Sequence, residues 1–355
     1  MNRPQAYLTR QIPQPAIDMV AAACNYRMWD SEDQPVPRAV LLREAAQADG
    51  VLALLSDRID AEFLEAAPRC RVVANTAVGY DNADVPELTR RGVLLTNTPG
   101  VLTDTTADLA WALMLAAARR VVEGQKLIEA GQWRYWSPMF MVGQDLSGAT
   151  LGIVGAGRIG AAIARRAVGF NMRVLYHNRR PAPEVEAQTG AQYRPLDDLL
   201  READFIVVAV PLTPETHGLF GTREFALMKP TAVFVNIARG PVVKELELVA
   251  ALKAGRPWAA GLDVFEREPI GADHPLLALP NVVVVPHIGS ATVATRVRMA
   301  TTAAANLVAA LTGQPVPNPV NPEVLRNTAN IGGSQAQASP GPEIPQTPFR
   351  EDGNG

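Results

Sequence analysis

Arg239 follows the apolar run AVFVNIA, Glu268 lies just after GLDVFER, and His287 follows NVVVVP. Each run reads as a strand, so each polar residue stands at a strand end. In an open α/β sheet, ligands bind outside the carboxyl ends of the strands, and all three side chains can then face one crevice. Arginine grips a carboxylate with two parallel hydrogen bonds and polarises a carbonyl. Histidine titrates near neutrality and supplies or takes a proton. A carboxylate beside it favours the imidazolium and fixes the tautomer. The set suits addition of a hydride and a proton to a carbonyl. By position alone each residue also has a plainer reading, as a loop histidine or a surface charge.

A second signal supplies the source of a hydride. The segment TLGIVGAGRIGAAIARRA carries G-x-G-x-x-G as Gly155, Gly157 and Gly160, between an apolar strand and an Ala-rich helix. Gly155 allows the tight turn, Gly157 lets backbone approach a pyrophosphate, and Gly160 lets helix and strand pack closely. The helix N-terminus offers free N–H groups and its positive dipole end to the phosphates. About 20 residues on, an NAD site places an acid against the ribose. Here the second strand ends in YHNRR, so Asn178 stands in that place and Arg179 and Arg180 follow. No carboxylate repels a 2′-phosphate there, and two guanidiniums can pair with one. NADPH is the expected cofactor, with NADH possible. A solvated loop is the plain alternative for the two arginines.

These residues need a scaffold. In the first hundred residues, strand candidates at Tyr7–Arg10, Val51–Ser56, Arg71–Thr76 and Val93–Asn97 alternate with helical stretches at Glu44–Gln47, Glu62–Ala66 and Val85–Arg91. A long helix is expected from Leu102 to Ala130, apolar on nearly every face and so buried between layers. A second alternating set has strands at Leu151–Val154, Met172–Tyr176, Phe205–Val210, Ala232–Asn236, Ala259–Val264 and Val282–Val285. Continuous Val/Ile/Leu runs mark a parallel sheet covered on both faces. A helical stretch, Ala291–Leu311, follows His287.

Composition bounds the rest. The chain has 355 residues, 48% hydrophobic and 19% charged, with formal net charge −3, which excludes wholesale disorder and gives no basic footprint for nucleic acid. Cys24 and Cys70 are its two cysteines, too few for a disulfide framework, which suits a reducing compartment. The longest apolar run, Leu109–Ala118, is short of the ~20 residues a membrane span needs, and MNRPQAYLTRQIP lacks a signal-peptide stretch. A cytoplasmic globular protein is expected, with no membrane partner. Residues 327–355, with four prolines and five glycines, are expected to be disordered.

Six segments resemble the D-isomer-specific 2-hydroxyacid dehydrogenase family: VGYDNADV (78–85), GVLTDTTADLAWALM (100–114), LGIVGAGRIG (151–160), VNIARGPVV (235–243), GLDVFEREP (261–269) and VVPHIGSAT (284–292). Within it the chain is most similar to glyoxylate/hydroxypyruvate reductases, through LLSDRID (54–60), VLTDTTADLA (101–110), YWSPMFMVG (135–143) and HIGSAT (287–292). The resemblance implies two Rossmann-like, doubly wound parallel-sheet α/β domains with a cleft between them. The substrate domain would be 1–100 plus 289–326, and the inserted cofactor domain 101–288. His287 would protonate the carbonyl oxygen, Glu268 would pair with it, and Arg239 would bind the substrate carboxylate and ketone oxygen.

The resemblance also implies substrate contacts. The N–H groups of Val78 and Gly79 would hold the carboxylate as a small anion nest, and Ser290 and Leu55 would line the substrate end. Trp136 would reach into a partner subunit's site in a homodimer, or simply pack. On the cofactor, Arg158 and Ile159 would join the three glycines and the YHNRR residues, with Pro211, Thr216, Ile237, Asp263, Gly289 and Thr106 as further contacts. No metal is expected, because arginine and histidine polarise the carbonyl. The implied reaction is reduction of small 2-oxoacids to D-2-hydroxyacids, glyoxylate to glycolate and hydroxypyruvate to D-glycerate. Rival readings are a 2-ketogluconate-type reductase on the same scaffold and a non-enzymatic NAD(P)H-sensing co-repressor. Phosphite oxidation is disfavoured, since Asn75–Gly79 contains no lysine.

Overall fold

Short apolar runs interrupted by helical ones fold here into two separate parallel sheets. The computed structural model describes residues 3–326; the expectation of a disordered tail at 327–355 lies outside the described residues. The first sheet contains β1 (Gln5–Leu8), β2 (Asn25–Met28), β3 (Gly50–Ala53), β4 (Val72–Asn75) and β5 (Leu94–Thr96), in the order β2-β1-β3-β4-β5. Helices α1 (Gln14–Ala23), α2 (Arg38–Ala45), α3 (Ala61–Ala66) and α4 (Val85–Arg90) make the crossovers. Strands β3 and β4 are buried along their whole length, as strands covered on both faces must be. β2 was not foreseen: its sequence NYRM is largely exposed at the sheet edge and carries no apolar run.

The expected helix from Leu102 to Ala130 is two helices, α5 (Thr103–Ala118) and α6 (Val121–Glu129). The break is at Arg120, whose backbone is left-handed (φ 54°). That conformation disfavours a residue with Cβ. Here the Arg120 guanidinium grips Glu123 through Nε (2.8 Å) and Nη2 (2.7 Å), which holds the corner. Apolar residues of α5 are buried against the second sheet and its first helix.

The second sheet runs β12-β11-β10-β9-β6-β7-β8. Its strands are β6 (Thr150–Val154), β7 (Arg173–His177), β8 (Gln192–Tyr193), β9 (Phe205–Val208), β10 (Val233–Asn236), β11 (Ala259–Leu262) and β12 (Val282–Val284). All the recorded pairings are parallel. The order reverses beside β6, the switch point at which such sheets bind ligands. β8, two residues at the edge, is a seventh strand beyond the six expected. Helices α7 (Arg158–Ala167), α8 (Pro183–Thr189), α9 (Leu196–Glu202), α10 (Thr222–Leu227) and α11 (Glu245–Lys253) complete this unit. The last helix, α12 (Val293–Thr312), returns to pack on α1 and on β3, β4 and β5. The second unit is thus inserted into the first.

Candidate active site

The glycine turn closes because nothing larger fits. Gly155 has φ +103°, and a Cβ there would lie 2.7 Å from the Ala209 carbonyl. A Cβ at Gly160 would lie 2.2 Å from the Gly155 oxygen, so helix α7 can approach its strand only at glycine. Gly157, by contrast, faces open space and caps α7 with no side-chain hydrogen bond. Ala156, Gly157, Arg158 and Ala161 line a concavity at the start of α7. Asn178, just after β7, also pins the turn: its Oδ1 accepts from Ala156 N (2.7 Å). Arg179 and Arg180 are exposed and make no ion pair among the described residues. A glycine cradle at a helix N-terminus fits the phosphates of a nicotinamide dinucleotide.

Three loops beyond β10, β11 and β12 carry the polar trio. Asn236 ends β10 and wraps the next turn, accepting from Ala238 N and donating to Arg239 O, each at 3.0 Å. Gly240 follows because a Cβ would lie 1.8 Å from the Phe265 backbone. The Arg239 guanidinium donates to Asp81 Oδ1 (2.9 Å) across the crevice, and a Cβ on Gly79 would lie 1.9 Å from its Nη2. The loop bearing Val78 and Gly79 is shaped by Asn97, which donates to Val78 O (2.8 Å), and Asn75, which donates to Gly79 O (2.9 Å). The N–H groups of Val78 and Gly79 make no hydrogen bond among the described residues, which leaves two donors beside a guanidinium. Asn82 ties this loop to that of Leu55, donating to Leu54 O (3.1 Å) and Asp57 O (2.9 Å).

His287 Nδ1 lies 2.7 Å from Glu268 Oε2, and Glu268 Oε1 accepts from Phe265 N (3.0 Å). Burial raises the Glu268 carboxyl, but the hydrogen bond and charge of His287, the Phe265 N–H and the Arg239 charge pull it below its ordinary value. An ionised Glu268 accepts only, so Nδ1 is the donor and Nε2 is left facing the crevice. The His287 backbone is left-handed (φ 52°). Asp263 holds it there: its carbonyl accepts from His287 N (3.0 Å), and its carboxylate accepts from Ile288 N (2.6 Å) and Gly289 N (2.9 Å). Thr106 of α5 is buried beside this knot, 3.4 Å from where a Gly289 Cβ would stand.

Burial pushes the Asp263 carboxyl up to about 6, against the Ile288 N–H, the His287 charge and the Gly289 N–H, which pull it down. The folded protein thus holds this proton more tightly than the unfolded chain. The stabilisation is complete below the unfolded value of 3.8 and is lost as pH rises through about 6. At pH 7 the buried charge opposes folding. The stability of Asp263→Asn relative to the parent is therefore expected to improve between pH 4 and pH 7, by up to about 2–3 kcal/mol. Thermal melts across that range check this, and a constant difference refutes it.

The remaining expected positions disperse. Thr216 Oγ1 donates to Pro211 O (2.6 Å) in the loop after β9, and Ile237 follows β10 directly. Ser290 sits in the turn before α12 and is half-buried. Trp136 is 78% exposed on the segment after α6. Asp81 was not singled out from sequence, although it lies in the quoted VGYDNADV. Arg296 of α12 was also missed; burial lowers its guanidinium and the Asp263 charge opposes this. Its signal, an arginine one helical turn past Thr292, is too common to stand out. Among the described residues no His/Cys/Asp/Glu group could hold a metal, and no helix is long and apolar enough to cross a membrane.

Comparison with known proteins gives a consistent result. Residues 111–289 match the profile of the D-isomer specific 2-hydroxyacid dehydrogenase, NAD binding domain. The chain is 49% identical over 328 residues to a glyoxylate reductase of Thermococcus gammatolerans, covering 91% of this chain and 98% of that one. Among solved structures it resembles an NADPH-dependent glyoxylate/hydroxypyruvate reductase from Sinorhizobium meliloti in complex with NADP and malonate. That match has a TM-score of 0.79 and 32% identity, covering 90% and 97% of the two chains. A D-lactate dehydrogenase from Aquifex aeolicus complexed with NAD and lactic acid aligns with a TM-score of 0.78 and 26% identity, covering 89% and 99%.

Proposed function

The chain belongs to the D-isomer specific 2-hydroxyacid dehydrogenase family, a nicotinamide-dependent oxidoreductase family, and from that membership we propose that it reduces glyoxylate to glycolate and hydroxypyruvate to D-glycerate with NADPH. The observation that carries the reading is the meeting, in one crevice, of the Glu268–His287 pair with an Arg239 that lies against the free N–H groups of Gly79 and Val78. A small carboxylate fits that nest.

The Gly155–Gly160 turn would hold the pyrophosphate of a nicotinamide dinucleotide, which when bound would supply the hydride for the 2-oxo carbon. Arg239 and the Val78 and Gly79 N–H groups hold the substrate carboxylate and aim the oxo group. His287 Nε2 gives its proton to the carbonyl oxygen, while Glu268 at Nδ1 stabilises the imidazolium beforehand. Arg239 offsets the negative charge that develops on that oxygen. One hydride and one proton convert the oxoacid to the hydroxyacid. Residues 1–100 with 289–326 act as the substrate unit and 101–288 as the cofactor unit. Closure of the cleft between them would exclude water.

NADPH preference rests on Arg179 and Arg180, which are exposed and make no ion pair among the described residues, although the Arg179 charge is felt by Glu215. Arg179→Asp is expected to raise KM for NADPH and shift preference toward NADH, by roughly 10–10² in the kcat/KM ratio. An unchanged KM would make the arginine a bystander. Trp133, Tyr135, Trp136 and Met139 are all exposed, an apolar arm that a homodimer would cover. In it Trp136 would reach the partner's crevice. Sedimentation as a monomer at micromolar concentration would sink that part. Two free, buried cysteines suit the cytoplasm.

The deciding measurement is kcat/KM for glyoxylate, hydroxypyruvate and 2-ketogluconate, each with NADPH and NADH. Glyoxylate or hydroxypyruvate with NADPH is expected to lead. A lead of about tenfold or more for 2-ketogluconate, some 1.4 kcal/mol, would replace the substrate assignment. Cofactor binding without turnover of any oxoacid would favour a sensor.

A further inference from the structure

The opposite edge of the first sheet holds a second concave site that the reaction above does not use. It opens where β1, β3 and β4 begin, whereas Val78, Gly79 and Asp81 lie beyond the strands' far ends. The cavity is about 910 Å³, within the ~300–1,000 Å³ range of small-molecule sites. Five arginines line it: Arg3, Arg27, Arg43, Arg69 and Arg71. They come from the chain start, β2, α2 and the segment before β4, so only the tertiary fold gathers them.

Two carboxylates share that wall and do not balance it. Glu44 is gripped by both Arg27 (3.0 Å) and Arg43 (3.1 Å). Asp49 takes Arg69 (2.9 Å) and the Gln5 N–H (2.8 Å). Burial raises Asp49, but the Gln5 N–H, the Arg69 hydrogen bond and the charges of Arg69 and Arg71 hold it below the usual carboxylate range. Arg3 donates to the Ala21 carbonyl, and the Arg71 side chain has no hydrogen bond or ion pair among the described residues. A chain of net charge −3 thus sets five arginines against two carboxylates around one hollow, with the arginine side chains open to an incoming anion.

Tyr7 is the second, independent sign. It lines the same cavity, is 3% exposed, and its hydroxyl is buried with no hydrogen-bond partner. Burial, reinforced by Glu44, pushes this phenol up to about 12, so it stays protonated. A buried donor without an acceptor calls for a missing partner. Planar guanidinium forks match phosphate and carboxylate geometry, and a phenol O–H is a further donor to either.

We propose that this cavity binds a small polyanion, an organic molecule carrying two or more phosphate or carboxylate groups, at a site separate from the crevice. Arg71 supplies the unpaired charge, Arg27 and Arg69 turn their free N–H groups to the anion, and Tyr7 donates from the wall.

The test is isothermal titration of the full chain, saturated with nicotinamide dinucleotide so that the glycine turn is filled. The probes are sodium tripolyphosphate, citrate and sulfate at constant ionic strength. One site is expected, with tripolyphosphate or citrate bound about tenfold or more tighter than sulfate. The tighter of the two assigns phosphate or carboxylate. Arg71→Gln should weaken binding by about tenfold, and Tyr7→Phe by about threefold to tenfold without lowering Tm. Arg239→Ala should leave it unchanged. Equal, weak binding of all three anions that fades with added chloride would mean an adventitious ion only and would overturn the proposal. Binding that survives Arg71→Gln and vanishes in Arg239→Ala would also overturn it, by placing the anion in the crevice.

Discussion

His287→Ala should lower kcat by roughly 10²–10⁴, the worth of a positioned general acid. The side chain is held for this task at both ends. Glu268 Oε2 sits 2.7 Å from Nδ1, and the Asp263 carbonyl and carboxylate fix the left-handed His287 and the two residues after it. Removing the imidazole leaves the carboxylate nest and the glycine turn intact, so KM for cofactor should change little. Steady-state rates with glyoxylate and NADPH, read at the nicotinamide absorbance, check both parts. A kcat within a factor of about two of the parent would remove His287 from the proton transfer. Glu268→Gln should cost less, because it spares the acid itself.

Arg239→Lys keeps the positive charge and is expected to lose roughly 10²–10³ in kcat/KM for the oxoacid, the usual cost of one group that stabilises a developing oxyanion. Lysine presents a point charge where the guanidinium presents a fork. Two of its three nitrogens are engaged here, Nε with Asp81 (2.9 Å) and Nη1 with Ala238 O (2.8 Å), which leaves Nη2, beside Gly79, for the carboxylate. An ammonium cannot keep the Asp81 link and face the carboxylate together. Arg239→Lys with parental kcat/KM would show that charge alone suffices and that the fork geometry is idle.

The parallel strands and the glycine turn were legible because their signals are local. Short β-branched runs such as FIVV and VFVN favour buried strands, and G-x-G-x-x-G has meaning only between a strand and a helix. Exposed edges were not legible. β2 shows no apolar alternation, and β8 is too short to carry a pattern. The break at Arg120 has no Gly or Pro to announce it. It exists because Glu123 and the Val142 carbonyl lie within reach of one guanidinium, and Gly143 lets the following segment close on the Ala118 carbonyl.

The sequence by itself determined which side chains stand at strand ends and which backbone can pass close to a phosphate, because both follow from the local periodicity and from the absence of a Cβ. The tertiary structure alone decided which of those ends meet. Asp81 and Arg239 are 158 positions apart yet share a 2.9 Å hydrogen bond. The Asn178 side chain reaches back across 22 positions to brace the glycine turn at Ala156 N. The arginines at positions 3, 27, 43, 69 and 71 became one wall. Separation along a chain does not fix distance in space. Crossover connections and the packing of α12 back onto the first sheet do.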